Sequence, residues 1–256
     1  MPLKDKEAWN RLVGTISIFG LPEPAIDRQL TQFNQLFPQF ILGISLNFPE
    51  THLKLYTDKP NITELMNSAA EAIEWISRKL GNHVYSVSGQ SMEQVVGRLL
   101  YENNATLAVA ESCTGGLIAN LLTDVPGSSE YFLFSAVTYS NQAKMNILKV
   151  QAQTLEKHGA VADQIAGEMA HGARTSVDAT YGLATSGIAG PGGGTDDKPV
   201  GTVCIGLATP SSVAGHRFYL PHENRRMSKH IFAVAALNLL RTELLREKQP
   251  TSHPQS

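Results

Sequence analysis

Apolar and polar positions along the chain change rhythm near residue 90. Before that point the pattern predicts a small α+β unit, running from about Trp9 to Gly89. Within residues 25–37, Ile26, Leu30, Phe33 and Phe37 recur at helical spacing, and Pro38 closes the run. Residues 40–48 alternate apolar with small or polar side chains, as a half-buried strand does. Residues 52–57 repeat the alternation with Leu53 and Leu55. Residues 62–80 predict a helix with Leu65, Met66, Ala69, Ile73, Ile76 and Leu80 on one face and Gly81 as its C-cap. Residues 84–87 predict a short strand, and residues 88–91 a hinge.

Beyond the hinge, strands and helices alternate. Helices are predicted over residues 92–103, 114–122, 141–148, 161–176 and 228–246, with Ser91 a candidate N-cap for the first. Strands are predicted over residues 106–110, 131–139, 181–185, 202–209 and 215–219. Such interleaving predicts an α/β fold, a sheet covered on both faces; the hairpin-like pair at 202–219 makes that sheet mixed. The expected domains are a small α+β unit over 1–89, a larger α/β unit over 90–248 and a disordered tail over 249–256, which lacks any apolar anchor.

Composition narrows the partners. A formal net charge of −2 gives no global attraction to nucleic acid or acidic lipid, so no nucleic-acid partner is expected. Two cysteines, Cys113 and Cys204, do not imply a disulfide scaffold. The first six residues are polar, without the apolar core of a signal peptide, and the run 231–240 is too short to cross a bilayer. A cytoplasmic protein with no membrane partner is expected. A homodimer is compatible with two small sheets exposing apolar surface.

The chemistry concentrates in three stretches. In Ala110-Glu111-Ser112-Cys113-Thr114-Gly115-Gly116 a buried strand runs into a helix, which puts Ser112 near unpaired N–H groups and the positive end of a helix dipole. Both features favour an alkoxide and an oxyanion, and the two glycines admit a ligand close to the backbone. The same residues also read as a plain helix cap. A serine nucleophile needs a base, and none of the histidines lies in a matching turn. Tyr139, at a strand end, and Lys144, in the next helix, are candidates: a buried lysine can lose its proton, and a tyrosine hydroxyl can relay it. A core tyrosine and a solvated lysine are the bland alternative. In the third stretch, Gly187-Ile188-Ala189-Gly190-Pro191-Gly192-Gly193-Gly194, backbone N–H groups can converge on a phosphate; the stretch also reads as a flexible turn. It matches neither a Walker loop nor a dinucleotide fingerprint. Lys198 could add charge there. Histidines and cysteines show no metal-ligand spacing, so neither metal nor cofactor is expected.

These stretches, with Val125-Pro126-Gly127-Ser128-Ser129, Tyr139-Ser140-Asn141-Gln142-Ala143-Lys144 and Lys198-Pro199-Val200-Gly201-Thr202-Val203, resemble the C-terminal domain of the CinA competence/damage-inducible proteins, also known as nicotinamide-nucleotide amidases. The resemblance covers roughly residues 92–209. It implies a three-layer α/β/α sandwich on a mixed sheet. It also implies deamidation of nicotinamide mononucleotide to nicotinate mononucleotide and ammonia, with Ser112, Tyr139 and Lys144 as the catalytic group. On that reading the substrate-binding candidates are Glu111, Thr114, Gly115, Gly116, Gly190, Gly192, Gly193 and Arg226, the partner is a small nucleotide, and the oxyanion sits at the start of the helix near Thr114. Residues 14–87 resemble the KH-like middle domain of full-length CinA proteins but lack a GXXG loop. The family's large N-terminal pyrophosphatase domain, and its activity, are expected to be absent. Two departures stand out: Ala162 where a capping serine is usual, leaving Asp163 to cap, and His230 where a second arginine is expected. Two rivals stay open, a non-catalytic nucleotide-binding regulator linked to competence or DNA damage, and an amidase using Cys113.

Overall fold

A computed structural model describes residues 11–61 and 63–247. The polar first residues, Trp9, Ile62 at the head of a predicted helix and the 249–256 tail lie outside the described residues. The chain divides into two compact units, Met1–Ser91 and Met92–Ser256.

The first unit is an antiparallel four-stranded sheet of β1 (Arg11–Phe19), β2 (Ile41–Asn47), β3 (Glu50–Thr57) and β4 (Val84–Ser86), in the order β2-β3-β1-β4. The predicted 25–37 helix is instead two pieces, α1 (Glu23–Gln29) and α2 (Phe33–Leu36). The chain turns between them and still delivers Ile26, Leu30 and Phe33 to one core. Helix α3 (Met66–Leu80) buries Ala69, Ala72, Ile76 and Leu80, and stops at Gly81, whose φ of +55° suits a residue without a Cβ.

The second unit is built on a five-stranded sheet in the order β6-β5-β7-β8-β9: β5 (Leu107–Glu111), β6 (Phe132–Val137), β7 (Tyr181–Gly187), β8 (Thr202–Ala208) and β9 (Val213–Tyr219). Strand β5 runs parallel to β6 and β7, and β8 and β9 are antiparallel additions, so the sheet is mixed. Helices lie on both of its faces. On one, α8 (Asp163–Ser176) packs with α6 (Asn141–Leu148) and α7 (Ala152–His158) over Ala108, Ala110, Ala184 and Ala208. Strand alternation sends Leu107, Val109, Leu183 and Ile205 to the other face, the side of α4 (Met92–Glu102), α5 (Leu117–Thr123) and α9 (Arg225–Glu247), which pack together. This is an α/β/α sandwich.

The face under α8 consists of small residues, and the helix backbone lies directly on it. A Cβ at Gly182 would fall 2.0 Å from the Ala170 carbonyl, at Gly206 1.8 Å from that of Ala166, and at Gly215 1.9 Å from that of Asp163. Those carbonyls recur every three to four residues, one stripe of a helix. Ala162 occupies the N-cap of α8 without a side-chain bond, and Asp163 does not take over the cap; it is the first helical residue.

Candidate active site

Three parallel strands end at one rim. Ser112 follows β5, and its N–H donates to the Thr185 carbonyl on β7 (3.0 Å), while the Thr138 N–H beyond β6 donates to the Glu111 carbonyl (2.8 Å). The ladder thus carries Ser112, Thr138–Tyr139 and Ser186–Gly187 to the carboxyl edge of the sheet, where open α/β sheets gather ligands. Ser140 then caps α6, its Oγ accepting from the Ala143 N–H (3.1 Å), which sets the rotation of the helix. Lys144 falls on the inward face.

Lys144 is only 1% exposed. Its Nζ donates to the Thr138 carbonyl (2.8 Å) and the Tyr139 carbonyl (3.3 Å), and stands 3.2 Å from Ser112 Oγ. Burial lowers its pKa below the ordinary lysine value; neighbouring Cys113 acts in the opposite direction. A neutral amine with two carbonyl acceptors aims its lone pair along the one direction left, toward the serine hydroxyl. Cys113 is buried, and burial pushes its thiol up to about 12, so it is a poor nucleophile beside an amine-paired serine.

Ser112, Cys113, Tyr139 and Lys144 line a cavity of about 270 Å³ with Ser186, Gly187, Gly192, Gly193 and Arg225. Tyr139 is 63% exposed, and its hydroxyl accepts from Arg225 Nη2 (3.1 Å) rather than lying between Ser112 and Lys144. Arg225 Nη1 donates to the Gly190 carbonyl (2.6 Å), tying the first turn of α9 to the glycine-rich loop.

Other expected site residues fall elsewhere. Glu111 is fully buried and does not line the cavity. Its carboxylate accepts the N–H groups of Gly116 (2.9 Å), Ile118 (3.1 Å) and Ala119 (2.9 Å). It is therefore the cap of α5, whose N-cap Gly116 (φ +92°) has no side chain to offer. Helix α5 starts at Leu117, not Thr114, and those three N–H groups are closed to an oxyanion. Thr114 is buried, its hydroxyl 2.7 Å from that of Thr185. The N–H groups of Thr114 and Gly115 make no hydrogen bond among the described residues. The arginine at the cavity is Arg225; Arg226 is exposed and outside it. Among the described residues no three His, Cys, Asp or Glu side chains gather as a metal group, and no helix is long and apolar enough to cross a membrane.

The fold and rim are those of an α/β sandwich with a serine–lysine pair at the carboxyl edge of its sheet. Residues 89–244 match the model of the CinA C-terminal domain, and the chain belongs to that family. It is 51% identical over 231 residues to a CinA-like protein of Desulfosudis oleivorans, covering 90% of this chain and 56% of that protein. Another CinA-like protein, from Geobacter metallireducens, is 39% identical over 234 residues, with 90% and 56% covered. The chain thus spans little more than half the length of these curated relatives. Among solved structures, a CinA superfamily protein from Klebsiella pneumoniae aligns with TM-score 0.58 at 31% identity, over 61% of this chain and 99% of that one. The competence/damage inducible protein CihA of Agrobacterium tumefaciens aligns with TM-score 0.55 at 34% identity, over 62% and 98%.

Proposed function

We propose that this protein is a nicotinamide-nucleotide amidase, hydrolysing nicotinamide mononucleotide to nicotinate mononucleotide and ammonia in the cytoplasm. The observation that carries the hydrolytic part is the buried Lys144 amine 3.2 Å from Ser112 Oγ. Family membership supports the choice of substrate.

In this mechanism neutral Lys144 takes the Ser112 proton as Oγ attacks the carboxamide carbon. The N–H groups of Thr114 and Gly115, which no acceptor occupies among the described residues, receive the tetrahedral oxyanion. Lys144 returns the proton to the amide nitrogen and ammonia leaves. Water, deprotonated in turn by Lys144, opens the acyl-serine and releases the nicotinate nucleotide. Tyr139 holds Lys144 through its carbonyl and forms the outer wall with Arg225. The experiment is an ammonia-release assay on nicotinamide mononucleotide, run with and without chelator. Wild type should turn the substrate over, and Ser112→Ala should slow release by about a thousandfold or more. Ammonia at the wild-type rate from the variant would remove Ser112 from the mechanism. Saturable binding with no ammonia from the wild type would make the protein a nucleotide-binding regulator instead.

A further inference from the structure

The two edges of the second unit's sheet are built differently. Strand β9, at one edge, carries His216 and Arg217, and Arg217 Nε stands 3.8 Å from Asp163 Oδ1. Charges on an edge strand oppose pairing with another chain. Strand β6, at the other edge, pairs only with β5 among the described residues, and reads Phe132-Leu133-Phe134-Ser135-Ala136-Val137. No charged residue occurs from Tyr131 to Ala143. A neutral, apolar edge of this kind is a template for a further strand. The Thr138 N–H donates to the Glu111 carbonyl on β5, so strand alternation turns the N–H and C=O of Ser135 and Val137 outward, to the free edge. Register with Val109 and Glu111 puts Ser135 and Val137 on the α5 side of the sheet, and Leu133 alternates onto the same side. Leu133 and Val137 are 45% and 49% exposed there.

We infer that β6 pairs antiparallel with β6 of a second copy of this chain, about a two-fold axis at Ser135, joining the two sheets into one. A two-fold axis sets the strand against itself reversed. Centred on Ser135, it brings Leu133 opposite the partner's Val137, so the two exposed apolar side chains cover each other at both ends of the pair. On the other face Phe134 meets the partner's Ala136, a large side chain against a small one. An axis at Phe134 would instead set Val137 opposite the partner's Tyr131, which is buried in its own chain. An axis at Ala136 would set Leu133 opposite the partner's Tyr139, beyond the strand. A second copy is the fitting occupant because a two-fold axis brings identical residues together, and this strip has no charge to repel its own image. The strand runs directly into Thr138 and Tyr139, whose carbonyls hold the Lys144 amine, so each copy's serine–lysine pair stands at one end of the shared strand pair. The inference is independent of the reaction.

The test is sedimentation velocity of the full chain from about 1 to about 100 µM. Wild type should move from monomer to dimer as concentration rises. Leu133→Lys and Val137→Glu, each at an exposed position, should weaken dimerisation about tenfold or more, since each sets a charge against an apolar side chain. Combining Leu133→Lys with Val137→Glu should restore the dimer, because the register opposes the two substituted positions twice. Melting temperatures within a few degrees of wild type would show that the variants fold. A wild type that stays monomeric at the highest concentration overturns the inference. A dimer that both single variants keep moves the interface away from β6 and overturns it too. A folded double variant that stays monomeric overturns the register about Ser135. If a charge variant fails to fold, Leu133→Cys combined with Val137→Cys decides without charge. Opposed strand residues have Cα atoms about 5.5 Å apart, within disulfide reach. Air oxidation with copper–phenanthroline should link two chains of that variant and leave wild type, whose Cys113 and Cys204 are buried, unlinked. No link in the double-cysteine variant overturns the pairing.

Discussion

Lys144 combines two properties that surface lysines lack: almost no contact with water, and two main-chain carbonyls fixing its amine against a hydroxyl. Burial disfavours the ammonium form, so the group loses its proton below the ordinary value of 10.5. Only the neutral form accepts a proton from Ser112, so activity falls as pH drops through the lowered value. The rate of ammonia release should therefore rise with pH along a limb set by Lys144. Lys144→Arg, whose guanidinium stays charged, should lose that limb together with turnover. A pH–rate profile from about pH 5 to 10 checks this, and an unaltered limb in the arginine variant would assign the base elsewhere. The sign for stability is the same. A depressed folded-state pKa gives a contribution fully present above the unfolded value and lost as pH falls through the folded one. Cys113 shows the opposite consequence of burial: desolvation raises its thiol to about 12 and favours the protonated form, which disfavours it as the nucleophile.

At the scale of elements, the decisive contact is helix α8 lying on glycines of three strands. Gly206 has no room for even one carbon, since a Cβ there would sit 1.8 Å from the Ala166 carbonyl. Gly206→Ala must lift α8 off the sheet or bend β8, so a loss of about 3 kcal/mol or more is expected, with the urea midpoint as the readout. Because Ala160 and Val161, just before α8, also line the cavity, the same variant should raise KM. A variant as stable as wild type would mean the helix backbone has slack there. Much of this frame was legible in the sequence. The periodicity marks α6 at its observed bounds and α4 to within a residue, and the strand spacing yields the mixed sheet; α4 is legible because it buries Met92, Val95, Val96, Leu99 and Leu100 along one stripe. Strand β1 and helix α7 went unassigned: α7 has seven residues with Leu155 alone buried, too little for a periodic signal. In the site, Ser112 and Lys144 could be paired from their positions after strands. The choice between Arg225 and Arg226 could not, because adjacent helical residues point about 100° apart and the helix was expected to begin only at residue 228. Glu111 stands among the substrate-binding candidates on the family resemblance, whereas in the structure it caps α5. Its place under α5 follows from which way β5 turns its side chains, which the pattern of an all-buried strand does not reveal.

The molecule as a whole carries a formal charge of −2, while the cavity beside Ser112 is lined by the Arg225 guanidinium and by no carboxylate. An anionic nucleotide therefore gains no steering from the global field, and any attraction must come from the few ångströms around Arg225. Short-range attraction at a partly open rim is weakened by salt, since the screening length falls from about 10 Å at 0.1 M to about 3 Å at 1 M. Lys144, shut away from water, should be nearly insensitive to it. The expected outcome separates binding from chemistry. Raising salt from about 0.05 to about 0.5 M should raise KM for nicotinamide mononucleotide several-fold with little change in kcat, and should leave KM for nicotinamide riboside nearly flat. Steady-state ammonia release at four or five salt concentrations gives both parameters. Parallel salt dependences for the two compounds would show that the phosphate meets no uncompensated charge. A kcat that falls with salt for both would instead point to the lysine being far wetter than its 1% exposure indicates.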